Sequence, residues 1–182
     1  DMIKNLCKKP DAQVHFLVGG TQTNLTVISS ALRPHQCVLS ASTGHVNEHE
    51  TGAIEATGHK VYTISTDDGK LTAEMVQAAY DAHWKDENHE HIAQPKLVYI
   101  SNPTEIGTIY SKNELERLYT VCRRCSLYLY IDGARLAYGL ASEKNDLDFE
   151  TLSSNCDVFY IGGTKCGTLL GEAVVLLNDS LK

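Results

Sequence analysis

Five short stretches of this 182-residue chain carry residue types that can do chemistry. They are Gly19-Gly20-Thr21, Gly44-His45, Asn102-Pro103-Thr104-Glu105, Asp132-Gly133-Ala134-Arg135 and Gly162-Gly163-Thr164-Lys165. A Gly-Gly-Thr that opens a helix makes an anion cup. Glycine lets the backbone come close to a ligand, the first helix amides lack partners, and the helix dipole favours negative charge. The same residues also suit a plain strand-to-helix turn with Thr21 as its cap. Asp132 closes the apolar run LYLYID, and a buried carboxylate there needs a partner. A protonated ring nitrogen is one such partner; Arg135, three residues on, is another. Lys165 follows two glycines and a threonine at the end of a further apolar run. An amine kept partly neutral by burial and nearby positive charge attacks a carbonyl, whereas a solvated loop lysine has no such use. His45 can stack on a flat ring and move protons near neutral pH, or simply bond to loop backbone.

The elements that must position these residues follow from periodicity. Apolar, β-branched runs predict strands at 13–18, 37–41, 60–65, 95–103, 127–132, 157–165 and 172–177. Between them lie helical patterns at 24–32, 49–57, 71–84, 111–125 and 148–156. Gly58 suits the end of the second helix and Thr72 the N-cap of the third. Ser111 and Glu114 have capping-box spacing. This alternation predicts an α/β fold: three αβα layers around a mostly parallel sheet. In such sheets ligands bind beyond the carboxyl ends of the strands. The five stretches therefore converge on one crevice, which then holds an anion cup, an imidazole, a carboxylate, a guanidinium and an amine. Those are the groups that pyridoxal 5'-phosphate requires, with Arg135 in reach of its phenolic oxygen.

Composition narrows the class. A formal charge of −7 argues against a nucleic-acid partner. No apolar run is long enough to suggest a membrane span, and no signal-peptide pattern opens the chain. Asp1 is not an initiator residue, which fits an incomplete or processed chain. Cys122 and Cys125 form a C-x-x-C, but no second pair accompanies it and the segment reads as helix. The six cysteines are thus read as reduced thiols of a cytoplasmic protein rather than zinc ligands or a redox pair. His83, His89 and His91 lie in a polar stretch that reads as solvated surface, and no metal site is expected.

FLVGGTQTN, TGHVNEHETGAIEATGHK, SNPTEIGTIYS, YIDGARLAYGL and DVFYIGGTKCG closely resemble the low-specificity L-threonine aldolase and β-eliminating lyase family, over about Val14 to Asn178. The resemblance implies the aspartate-aminotransferase fold, with strand 172–177 antiparallel. It implies Lys165 as the Schiff-base lysine, Asp132 on the pyridine nitrogen and Arg135 on the cofactor's hydroxyl side. His45 would stack on the ring near the substrate's β-hydroxyl, and Gly20 and Thr21 would bind the phosphate. Thr104 and Glu105 would lie near the pocket without a defined role. Aldol cleavage of L-threonine or L-allo-threonine is then the expected reaction, on a small-molecule amino-acid substrate, in a homo-oligomer (dimer or tetramer). A β-eliminating lyase would use the same cofactor residues, and a truncated, non-catalytic cofactor-binding module is a further alternative. Residues 1–182 correspond to the large domain of that family. The family's N-terminal segment and C-terminal small domain, which help bind the substrate carboxylate, are not expected within them.

Overall fold

The computed structural model describes residues 1–182. Seven strands form one sheet: β1 (Gln13–Leu17), β2 (Gln36–Ala41), β3 (Lys60–Ile64), β4 (Gln94–Ser101), β5 (Tyr128–Asp132), β6 (Val158–Gly162) and β7 (Glu172–Leu176). Their order is β1-β7-β6-β5-β4-β2-β3. All pairs from β6 across to β3 are parallel, whereas β7 runs antiparallel to both β6 and β1. This is the expected mostly parallel sheet with one reversed strand.

Seven α-helices cover it: α1 (Met2–Leu6), α2 (Gly20–Ala31), α3 (His45–Glu48), α4 (Ala73–Lys85), α5 (Lys112–Arg124), α6 (Leu136–Leu140) and α7 (Phe149–Ser154). Side chains alternate across each strand, so the sheet feeds two cores. Leu39, Val98, Ile100, Leu129, Ile131 and Phe159 join Val76 of α4 and Leu115 and Leu118 of α5 on one face. Val38, Leu97, Tyr99, Tyr130, Val158 and Tyr160 meet Val27 and Ile28 of α2 on the other. Thr72 caps α4 by accepting from Met75 N–H, and Ser111 and Glu114 complete the capping box on α5. No helix is long and apolar enough to cross a membrane.

One expected helix is not found, and the short α1, α3 and α6 were not expected. Residues 49–57 do not form an α-helix; only Glu55–Thr57 coil, as a single 3-10 turn before left-handed Gly58. The chain turns away at Thr51 and Gly52, both at positive φ. Glu50 is thereby drawn inward and is buried. Its side chain joins a polar network under the crevice, with His45 and Asn24.

Candidate active site

A crevice of about 230 Å³ opens at the carboxyl ends of the parallel strands. Its wall takes Gly20 and Thr21 from the start of α2, His45 from the start of α3, and Glu105 from the loop after β4. Ala134 and Arg135 come from the loop after β5, and Thr164 and Lys165 from that after β6. Glu172 also lines it: β7 is reversed, so its first residue lies where the other strands end.

Close approach of two loops brings Asp132 and Lys165 to one wall. A Cβ on Gly133 would fall 1.9 Å from Tyr160 O, and one on Gly162 would fall 2.4 Å from Ala134 O. Only glycine fits at either position, and Gly162 N–H donates to Gly133 O at 2.9 Å. Gly20 opens α2 behind Gly19, with no side-chain cap on its amides. The helix therefore presents free N–H groups to the crevice, as an anion cup requires.

Asp132 is buried and held by neutral donors. Tyr99 OH donates to Oδ2 at 2.6 Å and Asn24 Nδ2 to the same oxygen at 3.0 Å, while Ala134 N–H donates to Oδ1 at 2.9 Å. No ion pair with Arg135 forms, so the purely structural Asp–Arg reading fails. A carboxylate that lines a pocket at such a cost is one that a cation in the pocket can repay. Tyr99, Tyr130 and Tyr160 stand side by side beneath it, with ring centroids 5.8 and 6.4 Å apart in sequence. Burial foremost, and then the charge of Asp132, push their hydroxyls up. Two of them donate: Tyr99 to Asp132 and Tyr130 to Asn24 Oδ1.

His45 begins α3 and is half-buried. Its N–H donates to Glu105 Oε1 at 3.0 Å, and its Nδ1 lies 2.9 Å from Glu50 Oε1. The hydrogen bond to Glu50, set against burial, raises its pKa above the ordinary 6.5. Glu105 also accepts from Ser101 Oγ, which ties the loop after β4 to the start of α3. Thr104 does not reach the crevice. It is buried, and its hydroxyl pairs with that of Thr108 at 2.6 Å inside the same loop.

Lys165 lines the crevice from an exposed loop. Burial of its amine, expected from the sequence, is not found, because the loop projects beyond β6 into solvent. The loop itself is anchored. Buried Glu172 accepts from Gly163 N–H at 3.0 Å and from Thr164 Oγ1 at 2.7 Å, and Tyr138 OH donates to Lys165 O at 3.0 Å. The Lys165 side chain forms no ion pair, nor does that of Arg135. The crevice thus holds a free primary amine, a guanidinium, an imidazole, a carboxylate on neutral donors and a helix N-terminus. That donor set fits pyridoxal 5'-phosphate: cup for phosphate, carboxylate for ring nitrogen, amine for aldehyde.

Several participants escaped sequence reasoning: Asn24, Glu50, Tyr99, Tyr130, Tyr160 and Glu172. The tyrosines left a signal. Each stands two residues before the last residue of its strand, hence on the face of Ser101, Asp132 and Gly162. Asn24 lies one helical turn beyond Thr21, so it too faces the crevice.

Known proteins bear on this arrangement. The family model described as beta-eliminating lyase matches residues 1–181. A low specificity L-threonine aldolase of Pseudomonas sp. is 32% identical over 177 residues, covering 94% of this chain and 49% of the relative. A second protein so named, from Pseudomonas aeruginosa, is 31% identical over 173 residues, covering 94% and 49%. The chain spans about half the length of the curated relatives it matches. A solved threonine aldolase of Leishmania major superposes with a TM-score of 0.95 at 51% identity, over 100% of this chain and 52% of that one. A PLP-bound C-S lyase of Staphylococcus hominis shares the fold at a TM-score of 0.69 and 14% identity, over 92% of this chain and 43% of that one.

Proposed function

We propose, for a chain that belongs to the beta-eliminating lyase family, that it uses pyridoxal 5'-phosphate to cleave β-hydroxy-α-amino acids such as L-threonine or L-allo-threonine to glycine and an aldehyde. The observation that carries this reading is the convergence of Lys165, Asp132, His45 and the start of α2 on one crevice. The low specificity L-threonine aldolases and the Leishmania major threonine aldolase support the substrate class.

The bound cofactor supplies an aldehyde that condenses with amines and a ring that takes up electrons. Lys165 is the only lysine of the crevice wall, so its amine is the one to carry the cofactor covalently. Asp132 would pair with the ring nitrogen and hold a proton there. Its three donors fix the carboxylate in place, so little reorganisation accompanies that pairing. Gly20 and Thr21 would hold the phosphate, donating to it from helix amides and a hydroxyl, and Arg135 would lie on the phenolic-oxygen side. His45 would stack on the ring and take the proton of the substrate's β-hydroxyl at Nε2, directly or through one water.

Six free cysteines support a reducing compartment, and we place the protein in the cytoplasm. Phe16, Val18, Leu169 and Leu170 expose large apolar side chains, and Val18 lies against Gly171. Such a patch supports a homo-oligomer.

The test is a product assay with pyridoxal 5'-phosphate and L-threonine, L-allo-threonine or L-serine. Glycine and acetaldehyde from the threonines are expected. Ammonia with 2-oxobutyrate or pyruvate instead would make the protein an eliminating lyase.

A further inference from the structure

Beneath the crevice runs a buried polar chain that the proposed cofactor contacts do not use. His45 Nδ1 meets Glu50 Oε1 at 2.9 Å, and Asn24 Nδ2 donates to that same oxygen at 2.6 Å. Tyr130 OH donates to Asn24 Oδ1 at 2.7 Å, which fixes the orientation of the amide: its NH2 group must face the carboxylates. One nitrogen then serves both Glu50 and Asp132. The Glu50 side chain is wholly enclosed, at 0% exposure, against 26% for His45. Its second oxygen, Oε2, is buried without a partner. Enclosing a carboxylate with an unmet lone pair is costly. The backbone is also bent to achieve it, since Thr51 and Gly52 leave helical geometry directly after Glu50.

We propose that Glu50 is the positioning residue for His45: anchored by Asn24, its carboxylate keeps the hydrogen on Nδ1 and leaves Nε2 as the atom that accepts a proton in the crevice. Oε1 already accepts from Asn24, so the hydrogen of the Glu50 contact sits on the imidazole side. A neutral imidazole has one N–H only. If Nδ1 carries it, Nε2 has a free lone pair and no protein partner. A histidine base works only in that tautomer, and a buried carboxylate behind it is a recurrent way to select it.

Other charged or titratable groups face His45 from each neighbouring element. His49, at the end of α3, has its ring centroid 5.4 Å away. Glu105, from the loop after β4, touches only the backbone N–H. Asp132 of β5 acts across the pocket to raise the pKa, and Lys165 of the loop after β6 acts to lower it. Glu50 alone touches a ring nitrogen, so it decides the tautomer.

The catalytic half of this inference rests on His45 being the base of the proposed reaction; the tautomer itself does not. The experiment is 15N-histidine NMR of the protein with and without pyridoxal 5'-phosphate, on the parent, Glu50→Gln and Glu50→Asp, beside steady-state kinetics. In the parent, neutral His45 should carry its hydrogen on Nδ1 and titrate above 6.5. Glu50→Gln keeps the shape but removes the charge, so the midpoint should fall and the tautomer should mix. Its kcat should drop by roughly 10²-fold, with KM little changed. The acid limb of the kcat/KM profile should move with the NMR midpoint. Glu50→Asp should restore part of both. An unchanged midpoint and tautomer in Glu50→Gln, or neutral His45 protonated on Nε2 in the parent, overturns the proposal. If the NMR behaviour is as expected but the parent cleaves no threonine, the positioning role stands and the proposed reaction falls.

Discussion

Asn24→Leu should be among the most damaging single changes in this protein, although Asn24 lies on no strand end and carries no charge. The residue is buried. Leucine has the same branched shape with more bulk, so no cavity forms and the lost hydrogen bonds dominate. Three bonds are lost. Two are charge-assisted, to Glu50 Oε1 at 2.6 Å and Asp132 Oδ2 at 3.0 Å; bonds to charged groups are worth about 1.5–3 kcal/mol each. The third comes from Tyr130 OH, which has no other partner, and a buried unsatisfied hydroxyl costs about 1–3 kcal/mol. Both carboxylates keep another donor, so the terms do not add in full. A loss of at least about 3 kcal/mol is expected, a large part of the ordinary stability of a domain. Urea denaturation of parent and variant, fitted with a common slope, measures it. Tyr130→Phe alone should cost about 1 kcal/mol, and should cost almost nothing further in the Asn24→Leu background. A loss below 1 kcal/mol for Asn24→Leu, or strict additivity with Tyr130→Phe, would show that water replaces the amide and that the network is not shared.

Asp132→Asn should keep the fold and lose roughly 10²-fold or more in turnover, while cofactor binding weakens far less; normal turnover would remove the ring-nitrogen role. His45→Phe preserves a flat aromatic face but not the proton-accepting nitrogen, so threonine cleavage should fall by roughly 10²–10⁴-fold. A rate equal to the parent's would leave His45 as a stacking residue only. The raised pKa of His45, caused first by its bond to Glu50, also makes a statement about stability. A value raised on folding stabilises in full below the ordinary 6.5 and is lost as pH rises through the folded value. The stability deficit of Glu50→Gln should therefore be larger at about pH 5.5 than at about pH 8.5, and a deficit that grows with pH would have the wrong sign.

The sheet was readable because its inner strands are buried on both faces and so appear as continuous apolar runs, as in KLVYIS and DVFYIG. The reversed direction of β7 was not readable from those runs; it entered through family resemblance. Strand-end logic located Lys165, Asp132, His45 and Glu105, since residues just beyond parallel strands have nowhere to go but the crevice. Asn24 and Glu50 stayed hidden for physical reasons. Asn24 lies inside a helix, where a polar residue ordinarily faces solvent. Glu50 sits in HETGAIEAT, whose spacing imitates a helix, and only tertiary contacts with His45 and Asn24 pull it inward. The tyrosines sit within apolar strand runs and are buried in the core. The second task of Tyr99, donating to Asp132 on the neighbouring strand, shows only when β4 and β5 are set in register. Thr104 stands between two residues of the crevice wall, Pro103 and Glu105, but its hydroxyl meets Thr108, because the loop after β4 folds back on itself.

The central claim is that Lys165 carries pyridoxal 5'-phosphate in the crevice. Borohydride reduction of the cofactor-loaded protein, followed by proteolysis and peptide mass spectrometry, tests it directly. The pyridoxyl mass should be found on Lys165 and be absent from Lys165→Ala treated alike. A modified lysine elsewhere, or an undiminished adduct in Lys165→Ala, would contradict the assignment and with it the proposed chemistry.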